Sequence, residues 1–176
     1  IGWCDWSSDV CSSDLRTVIE VEAGYLLLMH HQDVTCAAAF PFELEELRRI
    51  PWSAKAGIAR YVARRGLPVV ANSARRHPHF SDTLDIETGF ETRSVLSVPM
   101  ISQGQVVGVI EILNKKDGLF NSKDEQLLQA IATSVSIALE NARLYEQTVA
   151  MAERERGIRN VFQKFVPKAV VDTIVS

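Results

Sequence analysis

Arg93-Ser94-Val95-Leu96-Ser97-Val98-Pro99-Met100-Ile101-Ser102-Gln103-Gly104-Gln105-Val106-Val107-Gly108-Val109-Ile110-Glu111-Ile112-Leu113 is the stretch that decides the fold. Arg93–Met100 and Gln105–Leu113 are rich in β-branched residues, and Ser102-Gln103-Gly104 between them suits a tight turn, so the stretch reads as a β-hairpin. On its C-terminal side Asp117-Gly118 makes another turn, and Ser122 reads as a helix-capping residue, with Glu125 completing a capping box. No glycine or proline then interrupts the chain until Gly157, which predicts one long helix. Along it Leu128, Ile131, Val135, Ala138, Ala142, Tyr145, Val149 and Ala152 alternate steps of three and four residues, a heptad seam suited to coiling against a partner helix. From Ser122 to Arg156 the helix would run about 50 Å at roughly 1.5 Å per residue, longer than the domain it leaves is expected to be wide. Its first three turns are expected to cover the domain's own sheet, and the part beyond Tyr145 to project and pair in a homodimer.

On the N-terminal side, Asn72 to Thr92 is polar, lacks sustained periodicity and reads as a long loop, of the kind that is usually functional inside a compact domain. Pro68 to Ala71 reads as a short strand. Ile58, Val62 and Ala63 recur at helical spacing between the turn of Pro51 and Gly57 and the stop signals Gly66 and Pro68. Ala23–His31 and Val34–Phe40 read as a strand pair.

The 176 residues are 47% apolar and 23% charged, which fits one globular domain with a short extension and excludes a disordered chain. The longest apolar run, Gly24 to Met29, is far short of the roughly 20 residues needed to cross a bilayer, and the charge excludes a basic nucleic-acid binder. Ile1-Gly2-Trp3-Cys4-Asp5-Trp6-Ser7-Ser8-Asp9-Val10-Cys11-Ser12-Ser13-Asp14-Leu15 back-translates as an index stretch followed by a sequencing-adapter oligonucleotide, so residues 1–15 are read as non-native. Without Asp5, Asp9 and Asp14 the acidic residues fall from 22 to 19 against 19 basic ones, and the formal charge moves from −3 to zero. Without Cys4 and Cys11 only Cys36 remains, which points to a reducing cytoplasm.

Several of these stretches carry a family resemblance. Gly57-Ile58-Ala59 with Val62-Ala63, Gly66-Leu67-Pro68-Val69, Thr88-Gly89-Phe90, Thr92-Arg93-Ser94-Val95-Leu96-Ser97-Val98-Pro99, Gly108-Val109-Ile110-Glu111 and Ala138-Leu139-Glu140-Asn141-Ala142-Arg143-Leu144-Tyr145 together resemble the GAF family of small-molecule sensory domains, from about Ala23 to Tyr145. The resemblance implies an α/β (α+β) fold: an antiparallel sheet of about six strands, terminal helices on one face and the pocket loop on the other. The family's first helix falls where the adapter-like residues stand, which predicts a poorly covered sheet face. On this reading residues 16–147 are the GAF domain and 148–176 a coiled-coil linker leading to a further domain.

Asn114-Lys115, Phe120 and Asp124-Glu125 resemble the motif of GAF domains that bind cyclic nucleotides, in phosphodiesterases and some bacterial adenylate cyclases. The resemblance implies that lysine and aspartate pair and support the pocket without lining it. A purely structural account also holds, since carboxylates in a helix's first turn oppose the dipole unaided. Ile58, Asp85, Thr88, Thr92 and Glu111 match the positions that contact nucleotide in the phosphodiesterase relatives, with hydroxyls suited to the cyclic phosphate and Ile58 to a flat purine. Each also has an ordinary reading as a solvated carboxylate, a turn cap or a strand residue. Where relatives carry a serine on the first strand and an aspartate after the second, this chain has Gly24-Tyr25 and Phe40-Pro41, and Arg75-Arg76 read as solvated loop residues.

No cofactor is expected; cAMP or cGMP is the implied regulatory ligand. Cys36 lies in an apolar run and reads as a core residue rather than a nucleophile or chromophore anchor, and His77-Pro78-His79 is too sparse for a metal site. Val161-Phe162-Gln163-Lys164-Phe165-Val166-Pro167-Lys168-Ala169-Val170-Val171-Asp172 resembles the region before class III adenylate/guanylate cyclase domains, which implies a downstream catalytic domain in the same chain. A terminal amphipathic helix folded back on the domain is the other account. The reading is therefore a non-catalytic sensory module, cytoplasmic and dimeric, without nucleic-acid or membrane partners in this stretch; the competing reading is a ligand-free dimerising spacer.

Overall fold

The computed structural model describes residues 19–30, 33–52 and 57–165. The expectations for residues 1–15 and for the tail from Val166 onward lie outside them. Five strands form one antiparallel sheet: β1 (Val21–His30), β2 (Asp33–Phe40), β3 (Val69–Ala71), β4 (Val95–Ser102) and β5 (Gln105–Lys115), in the order β2-β1-β5-β4-β3. The described residues thus hold five strands where about six were expected. The deciding hairpin is β4–β5, closed by Gln103 and Gly104, both at positive φ.

Pairing register turns period-two patterning into three transverse rows on one face of the sheet. Ala23, Leu113, Val95 and Ala71 lie side by side across four strands, and all belong to one buried core cluster. Leu27, Val109 and Pro99 form a second apolar row. Between them runs Tyr25, Glu111 and Ser97, a polar row at the centre of the sheet.

Three helices cover this face: α1 (Leu44–Arg48), α2 (Ile58–Arg65) and α3 (Thr83–Thr88), contributing Leu47, Ile58, Ala59, Val62 and Leu84 to the same core. Two of the three revise the sequence reading. The α1 segment carried no prediction, and the stretch expected to be a loop from Asn72 to Thr92 contains a 3-10 turn at Ala74–Arg76 as well as α3. Both α1 and α3 are shorter than two turns, so helical periodicity cannot show in them; burial of Leu47, Thr83 and Leu84 holds them instead.

The opposite face is apolar and carries the start of α4 (Ser122–Phe165), whose Leu128, Ala132 and Val135 are buried and whose Gln129 donates to the Pro99 carbonyl at 3.1 Å. The exposed sheet face that the sequence predicted is not found: Leu26, Leu96, Val98, Met100, Ile110 and Ile112 are all at most 4% exposed. The helix cap also shifts by one residue. Asn121, not Ser122, is the N-cap, its Oδ1 accepting from Lys123 and Asp124 N–H, while Asp124 Oδ2 accepts from Asn121 N–H at 2.9 Å. That reciprocal pair is a capping box one residue earlier than expected, and Glu125 contributes its N–H to the Asn121 carbonyl.

The chain divides into two units, residues 1–136 and 137–176. Within the second, Ile137, Leu144, Tyr145, Val149 and Met151 are exposed, and of the expected seam Ala138 and Ala142 are exposed too. Ala152's side chain lies outside the described set. No helix among the described residues is long and apolar enough to cross a membrane.

Candidate ligand-binding site

Tyr25 and Glu111 of the polar row form the floor of a cavity of about 70 Å³ between the sheet and α2–α3, walled by Ile50, Trp52, Ile58, Phe80, Leu84 and Thr92 among others; Ser97 lies outside its lining. Glu111 is 5% exposed and Ser97 fully buried. The Tyr25 hydroxyl donates to Glu111 Oε1, and the Tyr25 ring packs against Trp52 with centroids 5.1 Å apart. Glu111 Oε2 and Ser97 Oγ, on directly opposed residues, are buried without a hydrogen-bond partner. Of the two only Glu111 lines the cavity, and a buried, unpartnered carboxyl oxygen on the floor of a largely apolar cavity is the pattern of a site that completes its bonding with a ligand. Burial pushes the Glu111 carboxyl above its ordinary range, with the hydroxyls of Tyr25 and Ser97 pulling the other way. Burial likewise drives the Tyr25 phenol well above its usual value, so it stays a donor.

The first turn of α2 forms one wall. Gly57, Ile58 and Ala59 all line the cavity, and among the described residues no side chain caps this helix. Arg60, one residue on, is the only cationic side chain among the cavity-lining residues described.

The other residues singled out from sequence take different places. Asp85 is not in the lining: its carboxylate accepts from the Thr92 hydroxyl at 2.6 Å, from the Thr92 N–H at 3.2 Å, and from Arg75 at 2.9 Å. Arg75 is 57% exposed, as the solvated reading expects, and from there it pairs with Asp85 and stands 5.8 Å from the Phe80 ring. Thr88 caps its own helix, its hydroxyl donating to the Leu84 carbonyl and accepting from the Phe90 N–H. Ile58, Thr92 and Glu111 meet at the cavity; Asp85 and Thr88 brace its rim.

A GAF domain family model matches residues 9–139. The chain belongs to the GAF domain family. It is 34% identical over 116 residues to the dual 3',5'-cyclic-AMP and -GMP phosphodiesterase 11A of Takifugu rubripes, covering 64% of this chain and 13% of that protein. The dual 3',5'-cyclic-AMP and -GMP phosphodiesterase 11 of Drosophila melanogaster is 33% identical over 116 residues, covering 65% and 8%. The chain spans only 8 to 14% of the length of the curated relatives it matches. Among solved structures, the GAF domain of a phosphoenolpyruvate-protein phosphotransferase from Coxiella burnetii superposes with a TM-score of 0.68 at 20% identity, over 77% of this chain and 81% of that one, and shows the shared fold.

In this GAF domain Asn114, Lys115, Phe120 and Asp124 form a buckle between the end of β5 and the start of α4. Asn114 sits at φ 55° and uses its whole amide: Oδ1 accepts from Arg93 and Ser94 N–H, and Nδ2 donates to Glu22 and to the Glu91 carbonyl. The bond to Glu22, ahead of the Arg93 ion pair, holds the Glu22 carboxyl below its ordinary range. Lys115 Nζ meets Asp124 Oδ2 at 2.5 Å with both side chains largely buried. Phe120 is buried, and its backbone N–H and C=O are both bonded by the Asn72 amide. None of the four lines the cavity.

Sequence reading passed over Tyr25, Ser97, Trp52, Arg60 and the α2 N-terminus. The first two were readable in principle, because they share the inward parity of Glu111, but only the register brings them abreast. Cys36 is fully buried, its thiol donating weakly to the Ala38 carbonyl and pushed up to about 12 by burial, so at neutral pH it is a packed thiol. His79 stacks on Tyr61 at 4.2 Å with His77 alongside, and desolvation lowers the His77 pKa; among the described residues no group of three or more metal-ligating side chains forms.

Proposed function

We propose that this GAF domain is a regulatory receptor for a cyclic nucleotide, that it acts as a homodimer paired along the α4 seam, and that it reports to an adenylate/guanylate cyclase further along its chain. The observation that carries the ligand reading is the buried Glu111 carboxyl, with one oxygen lacking a hydrogen-bond partner, on the floor of a largely apolar cavity that the first turn of α2 and Arg60 also line. A purine finds apolar walls in Ile58 and Trp52 with the Glu111 carboxyl below, and a cyclic phosphate finds the helix start and a cation on one wall. The likeness to cyclic-nucleotide phosphodiesterases supports the same class of ligand. The cyclase reading rests on the resemblance of residues 161–172, and the seam reading on heptad spacing with exposed Ala138, Ala142, Tyr145 and Val149.

The cavity's 70 Å³ is well below the roughly 300 Å³ of small-molecule sites, so a nucleotide requires outward movement of the segment bearing Phe80 and Leu84. That segment is bonded through Asp85 to Thr92, next to Arg93, whose N–H is held by Asn114; Lys115 then holds Asp124 at the start of α4. Opening the cavity therefore strains a continuous series of bonds leading to the helix. A ligand that favours the open form by a coupling of about 1 to 3 kcal/mol would shift the helix equilibrium accordingly.

The contracted cavity and the internal bonding of Asp85 and Thr88 also favour a second reading, a ligand-free dimerising spacer. Calorimetric titration of cAMP and cGMP separates the two. Saturable binding that is lost in Thr92→Ala while the dimer persists supports the receptor. Silent titrations, with a dimer broken by Ala138→Glu and Ala142→Glu, support the spacer.

A further inference from the structure

We propose that Tyr61 on α2 and His79 form a latch that keeps the cavity contracted, and that parting their rings is the step that admits a ligand. For what enters, the inference rests on the cyclic-nucleotide reading above; the latch itself stands on ring and hydrogen-bond geometry. Arg60 and Phe80 line the cavity from two different walls, and Tyr61 and His79 are their immediate neighbours in the chain. The Tyr61 and His79 rings stack with centroids 4.2 Å apart and planes 18° from parallel, and His77 stands edge-on to Tyr61 at 6.3 Å. The stack therefore joins α2 to the start of the segment that bears Phe80 and Leu84.

That segment is pinned on both sides to the strand entry of β4. Before it, the Ala74 N–H donates to the Arg93 carbonyl at 2.8 Å and the His77 N–H to the Ala74 carbonyl at 2.9 Å. After it, Asp85 holds Thr92. Between the pins His79, Phe80 and Ser81 bond locally: the His79 N–H to His77 Nδ1 at 3.3 Å, the Phe80 N–H to the His77 carbonyl at 2.9 Å, and the Ser81 hydroxyl with that of Thr83 at 2.8 Å. These bonds shape the turn and can travel with it.

The two attachments of the segment differ in what their release leaves behind. Thr92 is buried, so breaking the Asp85 bonds strands a buried hydroxyl and amide. His79 is exposed and Tyr61 half-buried, so parting their rings leaves no buried imidazole unpaired, and an aromatic stack is a modest contact. The stack therefore yields first while the Asp85–Thr92 pin holds, and outward movement of Phe80 pulls on Thr92 and β4 rather than tearing the wall free.

The test is amide hydrogen exchange of the 176-residue chain without added nucleotide, in the parent and in Tyr61→Ala, His79→Ala and the double variant. Each single change should lower the protection of the Phe80–Thr88 amides about two- to tenfold, the double no further than either single, with the β4–β5 ladder at parent values. Tyr61→Phe, which keeps the ring, should match the parent. Unchanged protection in both single variants, a double variant that adds the two single effects, or a loss spread equally over the β4–β5 ladder overturns the latch. Titrated with cAMP and cGMP, Tyr61→Ala should bind tighter than the parent by the factor seen in exchange, because the open form is more populated. Equal affinity in parent and variant overturns the admitting step. Failure of both nucleotides to bind either chain overturns the nucleotide reading, while a localised loss of protection still upholds the latch.

Discussion

The carboxylate of Asp85 holds Thr92 at two points, the hydroxyl at 2.6 Å and the backbone N–H at 3.2 Å, while its outer side accepts from Arg75. The bond ties α3 to the strand entry of β4 across the cavity rim. Asp85→Ala leaves the buried Thr92 hydroxyl and amide unpaired, so it should destabilise by about 1 to 3 kcal/mol, read from urea unfolding. Asp85→Asn, which keeps an acceptor, should lose less. Equal losses for Ala and Asn would show that the Thr92 bonds contribute nothing beyond the ion pair.

The Lys115 and Asp124 pair should couple more strongly than surface ion pairs do. Its side chains are 15% and 13% exposed, and Asp124 also bonds the Asn121 amide. A double-mutant cycle with Lys115→Met and Asp124→Asn is expected to give a coupling above about 1 kcal/mol, where exposed pairs give roughly 0.2 to 1. Each single change should cost more than the double, because either leaves a largely buried charge uncompensated. A coupling near zero would remove the buckle from the account of how the cavity speaks to α4.

The hairpin Arg93–Leu113, the β1–β2 pair and the long helix were legible because their periods are sustained over many residues. Helix α3 was not, since six residues cannot display a period; it is closed by Gly89 at φ 69°, which turns the chain back so that Asp85 meets Thr92. At the α4 start, Asn121 and Ser122 are both good caps, and the sequence alone does not choose between them. The choice is made by Asp124, which bonds Lys115 and the Asn121 N–H with the same oxygen. Glu111 was singled out by resemblance, but its cross-strand neighbours Tyr25 and Ser97 depend on inter-strand register, which patterning within one strand does not fix.

Gly108 is required by close approach. A Cβ there would stand 2.1 Å from Met100 Cε and 2.5 Å from the Leu27 carbonyl oxygen. The methionine tip can swing away, but the strand carbonyl is fixed by its ladder. Gly108→Ala should therefore destabilise by at least about 2 kcal/mol, and Met100→Ala should not rescue it. Rescue in the double variant, read from denaturant midpoints, would show that the clash is with the side chain alone.

Cys36 should be inert in the folded chain. Its thiol is fully buried and pushed up to about 12, so thiolate is scarce at about pH 8. Alkylation followed by peptide mass mapping, which separates Cys36 from Cys4 and Cys11, should label Cys36 only under unfolding denaturant. Rapid native labelling of Cys36 would reopen the nucleophile and chromophore-anchor readings.

Glu111 and Glu22 should impose opposite pH dependences on stability. The Glu22 carboxyl is held below its ordinary 4.5, so its contribution is present above that value and is lost as pH falls through the folded pKa. Glu111 is raised above 4.5: the folded chain binds its proton more tightly than the unfolded chain does. Its contribution is full below about pH 4.5 and declines as pH rises toward the folded pKa, by at most about 1.4 kcal/mol per pH unit. Glu111→Gln removes that decline. The variant should gain on the parent steadily as pH is raised above 4.5, and unfolding curves of the two at matched pH measure the gap directly. A gap that stays constant between about pH 5 and pH 8 would mean that the carboxyl is ionised throughout, and the buried row Tyr25, Glu111 and Ser97 would then hold a charge rather than a proton.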